Sequence, residues 1–172
     1  MIFKREIERI AEQKKVSKTT VDRDWVLGHF IDAIFSIPTC RQKLILKGGT
    51  CLRKCYFRDY RFSEDLDFTS TNTDFALDKA LINSITAIIR ERIEIPLHVS
   101  KVEQLKFKDK LTGFSAIIKY WGADHPGNQT PPSPERWLTS VKIEIILYEK
   151  MVFPPEIRKL FHDLATNFPS QW

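Results

Sequence analysis

The sequence predicts an α/β (α+β) fold, a mixed sheet of about five strands flanked by helices, from three observations. Apolar residues recur at helical spacing through the first 36 residues and again beyond residue 74. Runs rich in β-branched and aromatic residues, "KLILKG", "EDLDFTS", "LHVSKVEQLKF", "GFSAIIKYW" and "TSVKIEIILYEK", read as strands. A glycine pair closes the first run and opens a helical pattern. At 172 residues the chain suits a single domain. It divides into a helical N-terminal part, 1–38, a core of about 43–150, and a C-terminal helix of about 155–165.

Each element has its own signal. Phe3, Ile7, Ile10 and Ala11 mark a short amphipathic helix that ends near Lys15. Ser17 caps a second helix reaching about Ser36, with Val21, Trp25, Leu27, Phe30, Ile31, Ile34 and Phe35 as its apolar positions and Pro38 beyond its end. Residues 43–47 form a buried strand that stops at the glycines. From Gly49 a helix carries Leu52, Cys55 and Tyr56. In "EDLDFTS", alternation puts Leu66 and Phe68 on one face and Asp65 and Asp67 on the other. Asp74 is read as the cap of a longer helix bearing Leu77, Leu81, Ile85, Ile88 and Ile89, with Pro96 beyond it. The remaining strands read as antiparallel. "GADHPGNQTPPSPER" between the last two, with four prolines and two glycines, predicts an exposed and mobile loop. A final helix, Pro155 to Ala165, would carry Ile157, Leu160, Phe161 and Leu164.

Composition narrows the function classes. The chain is 42% hydrophobic, enough to bury a core, which argues against disorder. Its net charge of +5 mildly favours polyanions such as nucleotides or RNA. Cys40, Cys51 and Cys55 show no CxxC spacing, so a zinc site is not expected and a reducing compartment fits. Cys51 and Cys55, four apart, belong to one helix and its core packing. The N-terminus "MIFKREIERIAEQKK" has no apolar signal core, and no apolar run reaches a membrane span, so the expected location is cytoplasmic. His29, His98, His125 and His162 form no ligand motif, and no GxSxG elbow or Cys–His pair stands out. Trp25, Trp121, Trp137 and Trp172 are read as packing residues before base-stacking ones.

The chemistry concentrates in residues 44–70. Asp65 and Asp67 at i and i+2 of a strand point the same way, and like charges so close need a cation between them. Carboxylate oxygens suit Mg²⁺ or Mn²⁺. For a bare DxD, a salt-bridged polar strand face is the plainer reading. The strand–Gly48–Gly49–Thr50–helix turn changes that weighting, because backbone amides and a helix N-terminus can hold phosphate there. Gly48 and Gly49 would let the chain turn sharply with no side chain in the way, and Thr50 adds a hydroxyl. A third carboxylate comes from "SVKIEI", whose Lys142 and Glu144 share the face opposite Val141, Ile143 and Ile145. If that strand adjoins the DxD strand, Glu144 faces the aspartates and Lys142 reaches a triphosphate.

"LKGGTCLRKCYF…YRFSEDLDF" resembles the first motif of the AbiEii/AbiGii nucleotidyltransferase toxin family, within the DNA polymerase beta-like nucleotidyltransferase superfamily. "SKTTVDRDWVLGHF" is similar to that family's N-terminal helix and "VKIEI" to its third-acid strand, so the resemblance runs from about residue 17 to 150. It implies the nucleotidyltransferase fold over the single domain 1–172. It implies Asp65, Asp67 and Glu144 as metal-binding catalytic acids, Glu144 standing where relatives often have Asp. Gly48, Gly49 and Thr50 would hold the NTP phosphates, with Arg61, Ser63 and Lys142 as further nucleotide contacts. Arg53 and Lys54 lie on the helix that follows, where solvent exposure is as good a reading as ligand contact. Family members usually continue into a helical domain, whereas this chain stops at Trp172, so a truncated or minimal member, a fragment and an inactive relative are all expectations.

The function expected is metal-dependent transfer of an NMP from NTP to a hydroxyl acceptor, RNA or tRNA among the options. The role implied is the toxin of a toxin–antitoxin (abortive infection) pair, with an antitoxin protein as partner. The alternatives are a nucleotide- or RNA-binding pseudo-enzyme without turnover, and metal-dependent phosphoester hydrolysis.

Overall fold

The computed structural model describes residues 4–126 and 128–162. The helical N-terminal part holds three helices: α1 (Lys4–Lys14), α2 (Lys18–Ser36) and α3 (Pro38–Lys43). The Ser17 hydroxyl caps α2 by accepting from the Thr20 amide at 3.0 Å. The sequence reading missed α3, which Pro38 opens; proline suits a first turn because its missing N–H has no intrahelical partner there anyway. Phe3 lies outside the described residues.

Next come β1 (Leu44–Lys47) and α4 (Gly48–Cys51), which continues into a π-helical turn at Leu52–Tyr56. β2 (Asp65–Ser70), α5 (Lys79–Ile93), β3 (Leu97–Phe107), β4 (Lys110–Tyr120) and β5 (Ser140–Ile146) complete the order. Among the described residues the five strands form one mixed sheet in the order β1-β2-β5-β4-β3. β2 and β5 run parallel, and the other neighbours antiparallel. The fold is therefore the α/β arrangement the sequence predicts. β1 is an edge strand rather than a buried one: only Leu44 is fully covered, because a single neighbour flanks it.

Alternation gives the sheet two unlike faces. Leu66, Phe68, Phe114, Ala116, Ile118, Val141, Ile143 and Ile145 are buried on one. They join a core with Val26, Phe30 and Ile34 of α2 and Ile82, Ile85 and Ile89 of α5. Asp65, Asp67, Lys142 and Glu144 take the other face.

Two expectations need correction. Asp78, not Asp74, caps α5, accepting from the Leu81 amide at 2.8 Å. Asp74 instead pairs with Lys43 at 2.8 Å. The helix starts later because the preceding chain must first seat Phe75 and Leu77 in the core. The expected C-terminal helix is absent over its described part, since residues 154–162 run irregularly. The Phe161 amide donates to the Lys54 carbonyl at 2.6 Å, so a tertiary bond takes what a helical turn would have used. Leu164 and Ala165 lie outside the described residues. The proline-rich loop is exposed over 128–130 and hydrogen-bonded at its two ends: the Ala123 amide donates to Asp22 at 2.9 Å, Trp137 Nε1 to the Pro132 carbonyl at 2.8 Å, and Lys119 Nζ to the Glu135 carbonyl at 3.0 Å. Among the described residues no helix is long and apolar enough to cross a membrane.

Candidate functional site

The parallel β2–β5 pairing sets Asp67 beside Glu144 and Asp65 beside Lys142. On the other side of β2, Lys47 is the register partner of Asp67. Since register partners point to the same side of a sheet, Lys47, Asp67 and Glu144 form one row across three strands. The condition the sequence reading set, that the third carboxylate's strand adjoin the DxD strand, is met.

The charges in this row feel one another. Burial holds the Asp67 carboxyl above the usual carboxylate range, Asp65 and Glu144 add to that, and Lys47 and Lys142 oppose it. Glu144 accepts from Lys142 Nζ at 2.7 Å, an i, i+2 ion pair along β5. The Glu149 carboxylate, just past β5, takes both the Lys47 ammonium and the Thr69 hydroxyl. These bonds, Lys47 first, hold it below its ordinary value.

The glycine turn is shaped around the acids. Gly48 has φ +72°, and a Cβ there would collide with Asp67 Oδ2. A Cβ on Gly49 would collide with Ser63 Oγ and come 3.5 Å from Arg61 Nη2. Thr50 is buried, and its hydroxyl donates to the Asp65 carbonyl at 2.5 Å, fastening the turn to the start of β2. Beside this turn opens a cleft of about 230 Å³ lined by Gly49, Thr50, Arg61, Ser63, Glu64, Asp65 and Asp67.

The sequence-predicted residues thus fall into two groups. Gly48, Gly49, Thr50, Arg61, Ser63, Asp65 and Asp67 meet around the turn and cleft. Lys142 and Glu144 stand on the adjoining strand, paired with each other and outside the cleft lining. Neither earlier reading of Arg53 and Lys54 holds: they are buried, 4% and 2% exposed, and both bind Asp24 of α2. An "RK" pair signals solvent only while its partner is unseen. Sequence reasoning missed Lys47 and Glu149. Strand alternation was a signal for Lys47; Glu149 had none, because its contacts depend on where the chain turns after β5.

Among the described residues no trio of His, Cys, Asp or Glu is gathered to enclose a metal ion. The donors present are the Asp65–Asp67 carboxylate pair, oxygen ligands of the hard-cation type, and the missing side chain of Gly48 is what lets the Asp67 carboxylate lie against the turn. This pair fits a hard divalent cation.

Residues 29–171 match the family described as "Nucleotidyl transferase AbiEii toxin, Type IV TA system". No curated protein matches the chain. Among solved structures, JHP933 from Helicobacter pylori is similar at 19% identity and TM-score 0.48, over 84% of this chain and 50% of that one. A candidate nucleotidyltransferase from H. pylori is similar at 20% identity and TM-score 0.46, over 76% of this chain and 46% of that one. The chain spans about half the length of these two proteins. The family match covers most of the sequence, including the glycine turn, the DxD strand and the third-acid strand: the chain belongs to the AbiEii nucleotidyltransferase toxin family.

Proposed function

We propose that this chain, as a single nucleotidyltransferase-like domain, binds an NTP in the Gly49–Arg61–Ser63 cleft and transfers its NMP to a hydroxyl acceptor, with RNA or tRNA as the acceptor class. The observation that carries this reading is the row in which Asp67 lies between the glycine turn and Glu144. The Gly48–Gly49 amides and the start of α4 would hold phosphate oxygens, with Arg61 and Ser63 closing over them. Asp65 and Asp67 would hold Mg²⁺ or Mn²⁺. When bound, such a cation supplies charge neutralisation at the triphosphate and a lowered pKa at the acceptor hydroxyl. Glu144 would turn from Lys142 toward the acids, freeing Lys142 to face the triphosphate. The biological setting proposed with this reading is a cytoplasmic toxin held in check by an antitoxin.

The Lys142–Glu144 pair favours a second reading, a nucleotide-binding pseudo-enzyme whose third acid is engaged elsewhere. Labelled NTPs, each with Mg²⁺ or Mn²⁺ and total RNA, separate the two readings. Label entering RNA with the parent chain, and absent with Asp65→Ala plus Asp67→Ala, is the outcome expected of transfer. NTP binding without incorporation would favour the pseudo-enzyme, and free phosphate would point to hydrolysis.

A further inference from the structure

The segment between the π-helical turn and β2, residues 57–64, carries Arg61 and Ser63 into the cleft yet has no helix or strand of its own. An irregular segment has no ladder to hold it, so its shape depends on its anchors. The main anchor lies behind the site. Arg53 Nε donates to Asp24 Oδ1 at 2.8 Å, while Nη1 of the same guanidinium donates to the Tyr60 carbonyl at 2.8 Å and the Arg58 carbonyl at 3.2 Å. The Phe62 ring covers the guanidinium, 3.6 Å from ring centroid to Cζ. Lys54 Nζ takes the second Asp24 oxygen at 2.6 Å. Burial raises the proton affinity of Asp24, but Lys54 and Arg53 outweigh it, so the carboxylate stays charged and holds both cations.

We infer that Arg53, braced by Asp24, is a positioning residue that sets the register of residues 57–64 over the glycine turn. Phe62 turns inward onto Arg53 while Ser63 Oγ and Arg61 Nη2 stand over Gly49, so the seated ring goes with the two side chains that face the cleft. The role calls for arginine: a planar fork can bind a carboxylate, two carbonyls and a ring face at once, whereas an ammonium is a point charge. Glu64 is held from outside by Arg23 at 2.7 Å, so neighbouring residues of α2 grip the segment at both levels. The consequence for ligand affinity rests on the nucleotide reading above; the positioning itself does not.

Arg53→Lys keeps a cation against Asp24 but loses the fork and the stack. Hydrogen–deuterium exchange on the full chain should show peptides covering 57–64 exchanging at least tenfold faster, with those of α5 and β5 unchanged. Titration with Mg²⁺ and inorganic tripolyphosphate should show at least tenfold weaker binding than the parent. Phe62→Leu leaves every ion pair in place and should loosen the same peptides, which keeps the test decisive if Arg53→Lys folds poorly. Unchanged exchange at 57–64, or loosening spread evenly over the sheet, would each overturn the inference, and loosening without loss of tripolyphosphate affinity would overturn its consequence for the cleft. A parent chain that binds neither tripolyphosphate nor any NTP would sink the nucleotide reading, while the exchange pattern still decides the role of Arg53.

Discussion

At the residue scale, Gly48 and Gly49 differ in what a methyl group would meet. At Gly48 the backbone is left-handed and the obstacle is Asp67 itself. At Gly49 the obstacle is the Ser63 hydroxyl, the end of a side chain that can rotate. Gly48→Ala should therefore cost about 1–2 kcal/mol in urea unfolding, and Gly49→Ala clearly less. Both should weaken tripolyphosphate binding. Asp22 supports a second prediction. Burial, and then Asp124, push its carboxyl up to about 7, against the Ala123 amide bond. A raised carboxyl pKa means the folded state keeps a proton that the unfolded chain releases near pH 4, so stability falls as pH rises from about 4 to 7. Asp22→Asn should lack that slope. Urea midpoints at pH 4.5 and pH 8 would show the variant gaining on the parent, by up to about 4 kcal/mol at the higher pH.

At the element scale the caps are the sharpest test. Ser17→Ala and Asp78→Ala should each cost about 1 kcal/mol. Asp74→Ala, which removes only a partly exposed ion pair with Lys43, should stay within about 0.5 kcal/mol. Equal losses at Asp74 and Asp78 would refute the cap assignment. The Asp74 misreading is instructive, because two aspartates four residues apart offer the same capping chemistry. What chooses between them is the burial of Phe75 and Leu77, a tertiary demand. The strands were legible for the opposite reason: alternation is a local property, and Leu66–Phe68 against Asp65–Asp67 reads the same in the sequence as in the sheet. Helix α3 was illegible because "PTCRQK" is too short to show a period.

At the scale of the whole molecule, the proposed site is a compromise between stability and ligand charge. Asp67 is destabilised by burial, Asp65 and Glu144, so Asp67→Asn should fold at least as well as the parent while losing the proposed nucleotide transfer. Millimolar Mg²⁺ or Mn²⁺ should raise the thermal midpoint of the parent, and chelation should reverse the rise. A site filled to a hundred times its dissociation constant adds about 2.7 kcal/mol. Asp67→Asn should show no such response. Asp24 lies at the other extreme: Asp24→Ala strands Arg53 and Lys54 as buried cations and should cost about 3–5 kcal/mol.

The sequence by itself determined the alternation that exposes Asp65 and Asp67, the glycines that permit the turn, and the motif that marks the family, because each depends on neighbours a few residues apart. Only the tertiary structure decided that β5 runs beside β2, that Lys142 holds Glu144, and that Arg53 and Lys54 face inward to Asp24. Strand order and buried charge pairing join residues far apart in the chain, and the free energy that selects them, burial against desolvation, is settled only when the whole core closes.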